Sequence, residues 1–348
     1  MARRFIPVLI LVAAVIAVQL VLTLMGSAFL LTQMTMACYY GLPIIGLCML
    51  MGYAGQISMG HAAFFAIGGY TNAVLTTMNL NVQTGIGRVL AVMHLTVTGT
   101  DMYGTATTYL SPMLALVCAM VIAGLIAFAI GIPILRLKGH YLAMATLGFG
   151  IIVAKIIVGT KLFGGADGIS GVPSFPVGPF AVSGDSAHRI ENYYIAWAVL
   201  IAALVLIINL INSRAGRALK SIHGNEQAAQ SIGVDTARYK LSVFVLSAVL
   251  AAVGGALLTH YNGSIGPSEI SISKSVRYVA IVAVGGMANV WGALIMGLIL
   301  NFLSLRGFFG SYDEAFFGVI LIIIIMFFPD GLFRKPDGNI FKRWLRRP

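Results

Sequence analysis

The sequence predicts an all-α polytopic membrane protein of about ten transmembrane helices, and three observations carry that prediction. Of 348 residues, 59% are hydrophobic and only 9% charged. Several apolar runs exceed the roughly 20 residues needed to cross a bilayer. The 40 glycines suit helices packed in lipid, where small residues let backbones approach. A soluble fold is excluded, and the whole chain, 1–348, reads as a single transmembrane domain.

The start, "MARRFIPVLILVAAVIAVQLVLTLM", pairs a basic end with an apolar stretch too long for a signal peptide. No small-residue cleavage site follows, so 5–25 reads as a retained first helix. Further spans fall near 27–51, 61–78, 110–135, 139–159, 192–212, 241–262 and 315–333. With Arg3 and Arg4 in the cytoplasm, alternation places 52–60, 136–138, 213–240 and the basic tail 334–348 on that side. Those segments hold 15 of the 22 Lys and Arg residues; the outer segments hold six, and Lys155 lies within a span. This is the positive-inside bias. It puts both termini in the cytoplasm and accounts for the net charge of +11 without nucleic acid as a partner.

Parity also constrains 276–305. Its flanks, 263–275 and 306–314, must both be outside if the tail is inside, so the stretch crosses twice or not at all. "GGMANVWG" (285–292) is the natural turn, which predicts two short helices or a re-entrant hairpin. Irregular backbone survives at membrane depth only where protein or a water-filled cavity surrounds it. Gly285 and Gly286 are therefore candidate pathway residues. The outer loops 79–109 and 160–191 exceed the length of tight turns, and loops of that size tend to be functional; the second is rich in Gly and Pro and is a candidate docking face.

Between the second and third spans, "GYAGQISMGHAAFFAIGGY" (52–70) places polar groups in an otherwise apolar chain. Gly52, Gly55 and Gly60 permit sharp turns, and Gln56, Ser58 and His61 can satisfy the freed backbone groups. Two readings stand side by side: a hydrogen-bonded helix connection, and a border of a translocation path near an inner gate. Lys155, four residues from a predicted outer end, either snorkels to the interface or meets a substrate carboxylate. Asn72, Asn209 and Asn301 suit hydrogen bonds between helices. Cys38, Cys48 and Cys118 lie in apolar segments without paired spacing, and His61, His140 and His260 are scattered near span ends. Neither a disulfide framework nor a metal site is indicated.

The internal cytoplasmic loop, "SRAGRALKSIHGNEQAAQSIGVDTARYK" (213–240), contains a framed element. Asn225 is a good N-cap, Glu226 complements the helix dipole in the first turn, and Gly233 is a natural terminator. They delimit a helix over 226–232, about 10 Å long at 1.5 Å per residue, preceded by a basic turn at 214–222. The segment is either an ordinary connection or a partner-binding knob. The chain has no G-x-x-x-x-G-K-[ST] and no Gly-Lys pair, so it is not expected to be an ATPase.

Six stretches taken in order resemble the LivM-type permease of branched-chain amino-acid ABC importers: 52–75; "LRLKGHYLAMATLGFG" (135–150); "GGADGISGVP" (164–173); 213–257; "VGGMANVWGALIMG" (284–297); and "FFPDGLF" (327–333). The 135–150 element distinguishes this type from its shorter LivH-type partner. The resemblance implies a permease heterodimer in a bacterial inner membrane, two cytoplasmic ABC ATPases that supply ATP and Mg chemistry, and an extracytoplasmic solute-binding protein. No cofactor is expected in this chain. By resemblance, Arg214, Gly216, Arg217, Glu226, Ala228, Ala229, Gly233 and Lys240 correspond to the ATPase-coupling region. His223 departs from the more usual Arg. The translocation pathway falls on Gly55, Gln56, Ser58, Gly60 and His61 together with Gly285 and Gly286.

Two rival classes remain. An ion-coupled secondary transporter ordinarily needs acids within its spans, and all eleven acids fall outside them. A passive channel has no need of a capped cytoplasmic helix.

Overall fold

The computed structural model describes residues 5–79, 96–100, 106–137, 139–308 and 310–327. The basic residues Arg3, Arg4 and Lys138, most of the 79–109 loop and the tail 334–348 lie outside these.

Ten apolar helices are present among the described residues: α1 (Ile6–Leu24), α2 (Leu30–Ala54), α3 (His61–Thr77), α4 (Pro112–Ile134), α5 (His140–Gly159), α6 (Arg189–Asn212), α9 (Thr236–Asn262), α10 (Ile272–Gly285), α11 (Val290–Leu305) and α12 (Asp313–Phe327). Two short polar helices, α7 (Arg214–Gly224) and α8 (Glu226–Ser231), join α6 to α9. Six of the apolar helices are long enough to cross a membrane unaided. The predicted spans agree with the observed helices to within a few residues where both are described, because apolar length is the dominant local signal; residues 328–333 of the span at 315–333 lie outside the described residues.

α2 is the axis of the molecule. Its most apolar stretch is 89% buried, against 17% for α1 and 22% for α4. It packs against α6, α9, α10 and α11. α9 lies beside it and also contacts α3 and α4. The α4–α9 contact uses a stripe spaced every four residues, Ala115, Ala119, Ala123, Ala127 and Gly131, all buried. Leu241 and Phe244 of α9 lie against Gly131, the close approach small residues allow in lipid.

The 276–305 stretch is two short helices. α10 and α11 are about 21 and 24 Å long at 1.5 Å per residue and pack against each other. Gly285 sits against Gly292 and Ala293 across the hairpin, Gly286 turns with φ +97°, and Asn289 caps α11 through Gly292 N–H. The turn reaches the final turns of α2: Tyr53 Oη donates to Ala288 O at 2.8 Å.

The two regions read as long outer loops carry short strands. β1 (Thr96–Thr100) and β2 (Ala106–Leu110) form an antiparallel pair. In 160–191, β3 (Ile169–Ser170) pairs with β6 (Ser264–Ile265), and β4 (Phe175–Val177) pairs with β5 (Phe180–Val182). Val172 N–H donates to Gly263 O, and one nitrogen of His260 lies 2.7 Å from Pro173 O. The segments 160–191 and 263–275 therefore form one continuous surface.

Candidate functional site

The 213–240 segment folds as an elbow on one end of the bundle. Ser213 Oγ accepts from Gly216 N–H and starts α7. Gly216, Leu219 and Ile222 recur along one buried face of α7, while Arg214, Arg217 and Lys220 point outward. The basic turn expected at 214–222 is thus a full amphipathic helix lying on α2 and α6. Gly216 is required there, because a side chain would run into the Ile211 carbonyl.

α8 begins and ends as its sequence dictates. Asn225 Oδ1 accepts from Ala228 N–H at 3.0 Å. Gly233, at φ +86°, lets Val234 N–H reach Ala229 O. Ala229 is buried, Ala228 is exposed, and Ile232 stands 77% exposed just past the helix. Glu226 turns inward: its carboxylate lies 2.5 Å from the Lys240 ammonium and accepts from Thr236 Oγ1 at 3.4 Å. Gln230 Nε2 donates to Thr236 Oγ1 at 2.9 Å. α8 is thereby fastened to the first turns of α9.

The break between α2 and α3 lies beneath this elbow. Gly55 ends α2 in the left-handed region at φ +67°, which glycine adopts without penalty. The His223 imidazole of α7 approaches it so closely that an added Cβ would lie 3.1 Å from Nδ1. Lys220 sits 5.7 Å over the Tyr53 ring. The other named residues are packed and make hydrogen bonds, although the buried Gln56 Oε1 has no partner. Gln56 Nε2 donates to Ala54 O, Ser58 Oγ accepts from Gly60 N–H, and Met59 N–H donates to Thr146 Oγ1 of α5. His61 is buried, with Nδ1 3.2 Å from Ser58 Oγ and Nε2 2.6 Å from Ser247 Oγ of α9. The structure brings the break, the α10–α11 turn and the elbow to the same end of the bundle.

A family model described as "Branched-chain amino acid transport system / permease component" matches residues 29–326. The chain belongs to this family. The high-affinity branched-chain amino acid transport system permease protein LivM of Salmonella typhimurium is 29% identical over 320 residues, covering 86% of this chain and 68% of that protein. LivM of Escherichia coli is 28% identical over the same span. LivH of Salmonella typhimurium is 26% identical over 314 residues, 87% of this chain and 94% of that protein. No solved structure matches the chain.

Three features of this permease escape sequence reasoning. Ile232 reads as an ordinary loop apolar residue, yet it is the most exposed aliphatic side chain of the elbow. His223 has no local pattern, and its place against Gly55 comes from the packing of α7. Glu269 reads as a solvated loop acid, whereas its side chain is only 16% exposed and pairs with Lys274 at 2.6 Å. Of the three asparagines, Asn72 lies 2.8 Å from His260 of α9, and Asn301 donates to Gly297 O within its own helix. Lys155 is exposed on α5.

Proposed function

We propose that this chain is the LivM-type permease subunit of an ATP-driven importer that carries branched-chain amino acids across a bacterial inner membrane. Its partners are a LivH-type permease, two cytoplasmic ABC ATPases and an extracytoplasmic binding protein; both termini face the cytoplasm. ATP and Mg are handled in the ATPases, and this chain holds no cofactor. The observation that carries the mechanism is the elbow. A capped helix with an exposed apolar tip at Ile232 is anchored by Lys240 to α9, and its neighbour α7 touches the α2–α3 break through His223 and Lys220. A push on α8 is passed to the helices around α2, and the pathway segments 55–61 and 285–286 lie where that movement arrives. Arg214 and Arg217, both exposed, offer the basic face for the ATPase.

The joined surface of 160–191 and 263–275 is where the binding protein docks on this reading. The test is mild-detergent purification from the native membrane with identification of every co-purifying chain. Two Walker-containing ATPases and a second permease are expected. A clean homo-oligomer lacking ATPases overturns the reading in favour of an ion-coupled transporter or a channel.

A further inference from the structure

Helix α9 has 27 residues, about 40 Å at 1.5 Å per residue, and its two ends meet different surfaces. At the elbow, Lys240 pairs with Glu226 of α8. At the far end His260, 1% exposed, has Nδ1 2.7 Å from Pro173 O and Nε2 2.8 Å from the side-chain amide of Asn72 in α3. Pro173 belongs to the 160–191 surface, whose Phe175 ring also meets the imidazole at 5.3 Å. A carbonyl only accepts, so Nδ1 carries a proton toward Pro173 and the opposite edge of the ring is committed to α3. The other ties, Val172 N–H to Gly263 O and the β3–β6 pair, join the outer segments to one another. His260 carries that surface into the bundle.

Between these ends α3 and α9 are locked together. They run in the same direction, since His61 meets Ser247 and, further along both helices, Asn72 meets His260. Midway, backbone lies on backbone: a Cβ at Gly68 would fall 2.1 Å from Ala252 O, and one at Gly255 1.8 Å from Phe65 O. Small residues allow this approach, and they leave no side chains there that could re-pack to let one helix slide past the other. Sliding would also break the buried hydrogen bonds at both ends, and each group left unpaired costs about 1–3 kcal/mol. α3 and α9 are thus one strut, the kind of rigid, hydrogen-bonded element through which distant sites are coupled.

We propose that His260 is a positioning residue for coupled transport: it fixes the outer surface to the α3–α9 strut, so that docking of the binding protein is felt at the Lys240–Glu226 pair and the elbow. The inference rests on the import reading above. It goes beyond it in giving the docking signal a route, from Pro173 through His260 and along α9 to α8, as movement of one body instead of a relay of side chains.

The test uses the full importer in nanodiscs with its binding protein saturated with leucine. ATP hydrolysis is measured with and without the binding protein, and hydrogen–deuterium exchange is followed over 213–240 in the wild-type complex. Docking is expected to change exchange at 226–240. The His260→Ala complex is expected to capture the binding protein and to keep its unstimulated hydrolysis, yet to lose most of the several-fold stimulation. His260→Gln, whose amide can donate to Pro173 O and accept from Asn72, is expected to restore it. Asn72→Ala is expected to match His260→Ala, with the double substitution no worse than either. Wild-type stimulation in His260→Ala overturns the proposal, as does a fall of unstimulated and stimulated hydrolysis in the same proportion, which a purely structural role would give. Unchanged exchange at 226–240 on docking overturns it whether or not the variants assemble. Stimulation that depends on His260 in a complex that imports no amino acid sustains the strut and overturns the import reading instead.

Discussion

Lys240 holds Glu226 across the elbow, ammonium to carboxylate at 2.5 Å, with the lysine side chain 5% exposed and the glutamate 28%. The pair joins the first residue of α8 to the second turn of α9, the helix that packs on α2, α3 and α4. Because the lysine is nearly buried, it needs its counter-charge wherever α8 goes. On the proposed coupling role, movement of the short helix is therefore expected to reach α9 and the helices packed on it.

Glu226→Gln keeps the shape of the side chain and removes that counter-charge. Breaking a buried pair by removing one partner costs about 3–5 kcal/mol, and the partial exposure of Glu226 keeps the loss at or below the lower figure. The complex is expected to assemble, while amino acid imported per ATP hydrolysed falls several-fold in proteoliposomes. An unchanged ratio removes the α8–α9 brace from the mechanism.

The ends of α8 give a graded series. Asn225→Ala deletes the cap on Ala228 N–H and costs about 1 kcal/mol. Gly233→Ala forces an L side chain to φ +86°, at about 1–2 kcal/mol. Gly233→Asn is milder, because asparagine tolerates left-handed backbone. Limited proteolysis of inside-out vesicles, followed by mapping of cuts within 213–240, is expected to rank cleavage Ala above Asn above wild type at position 233. Equal cleavage of all three contradicts the capped geometry.

These caps show what a sequence can make legible. Asn225 and Gly233 act within one turn of their own helix, so their spacing reveals them directly, whereas the reach of Glu226 to Lys240 of α9 has no local pattern. Apolar length locates the spans for the same local reason, and parity splits 276–305 around Gly286. The Tyr40–Glu269–Lys274 cluster is different: Tyr40 and Glu269 are 229 residues apart, and no local pattern distinguishes Glu269 from a solvated loop acid. The same holds for His61 and Ser247, 186 residues apart. Glycine runs in 52–60 signal a break, but not that Gly52 is there to admit the Met287 backbone.

That close approach is testable. A Cβ at Gly52 overlaps the Met287 carbonyl, and backbone cannot step aside as a flexible side chain can. Gly52→Ala is expected to cost about 1–3 kcal/mol, the usual range for overpacking, and to lower the unfolding temperature of the detergent-solubilised protein by several degrees. Gly148→Ala, inside α5 with open space around it, serves as the contrast. Higher helix propensity favours it by about 0.5–1 kcal/mol. A Gly52→Ala protein as stable as Gly148→Ala refutes the tight contact between α2 and the hairpin turn.

The buried imidazole of His61 ties α3 and the 55–60 connection to α9 at the break. Its Nε2 lies 2.6 Å from Ser247 Oγ of α9 and its Nδ1 3.2 Å from Ser58 Oγ, and the ring edge meets Phe64 and Phe244. Ser247→Ala leaves a buried ring nitrogen without its partner, at about 1–3 kcal/mol. His61→Ala loses that bond and the packing as well. If the hydrogen bond is what matters between them, the double substitution costs less than the two singles added, by about 0.5–3 kcal/mol. Thermal unfolding of the four proteins completes the cycle. Strict additivity means that His61 fills space only, and that the 55–61 break is held by its glycines and by Thr146 rather than by this bridge to α9.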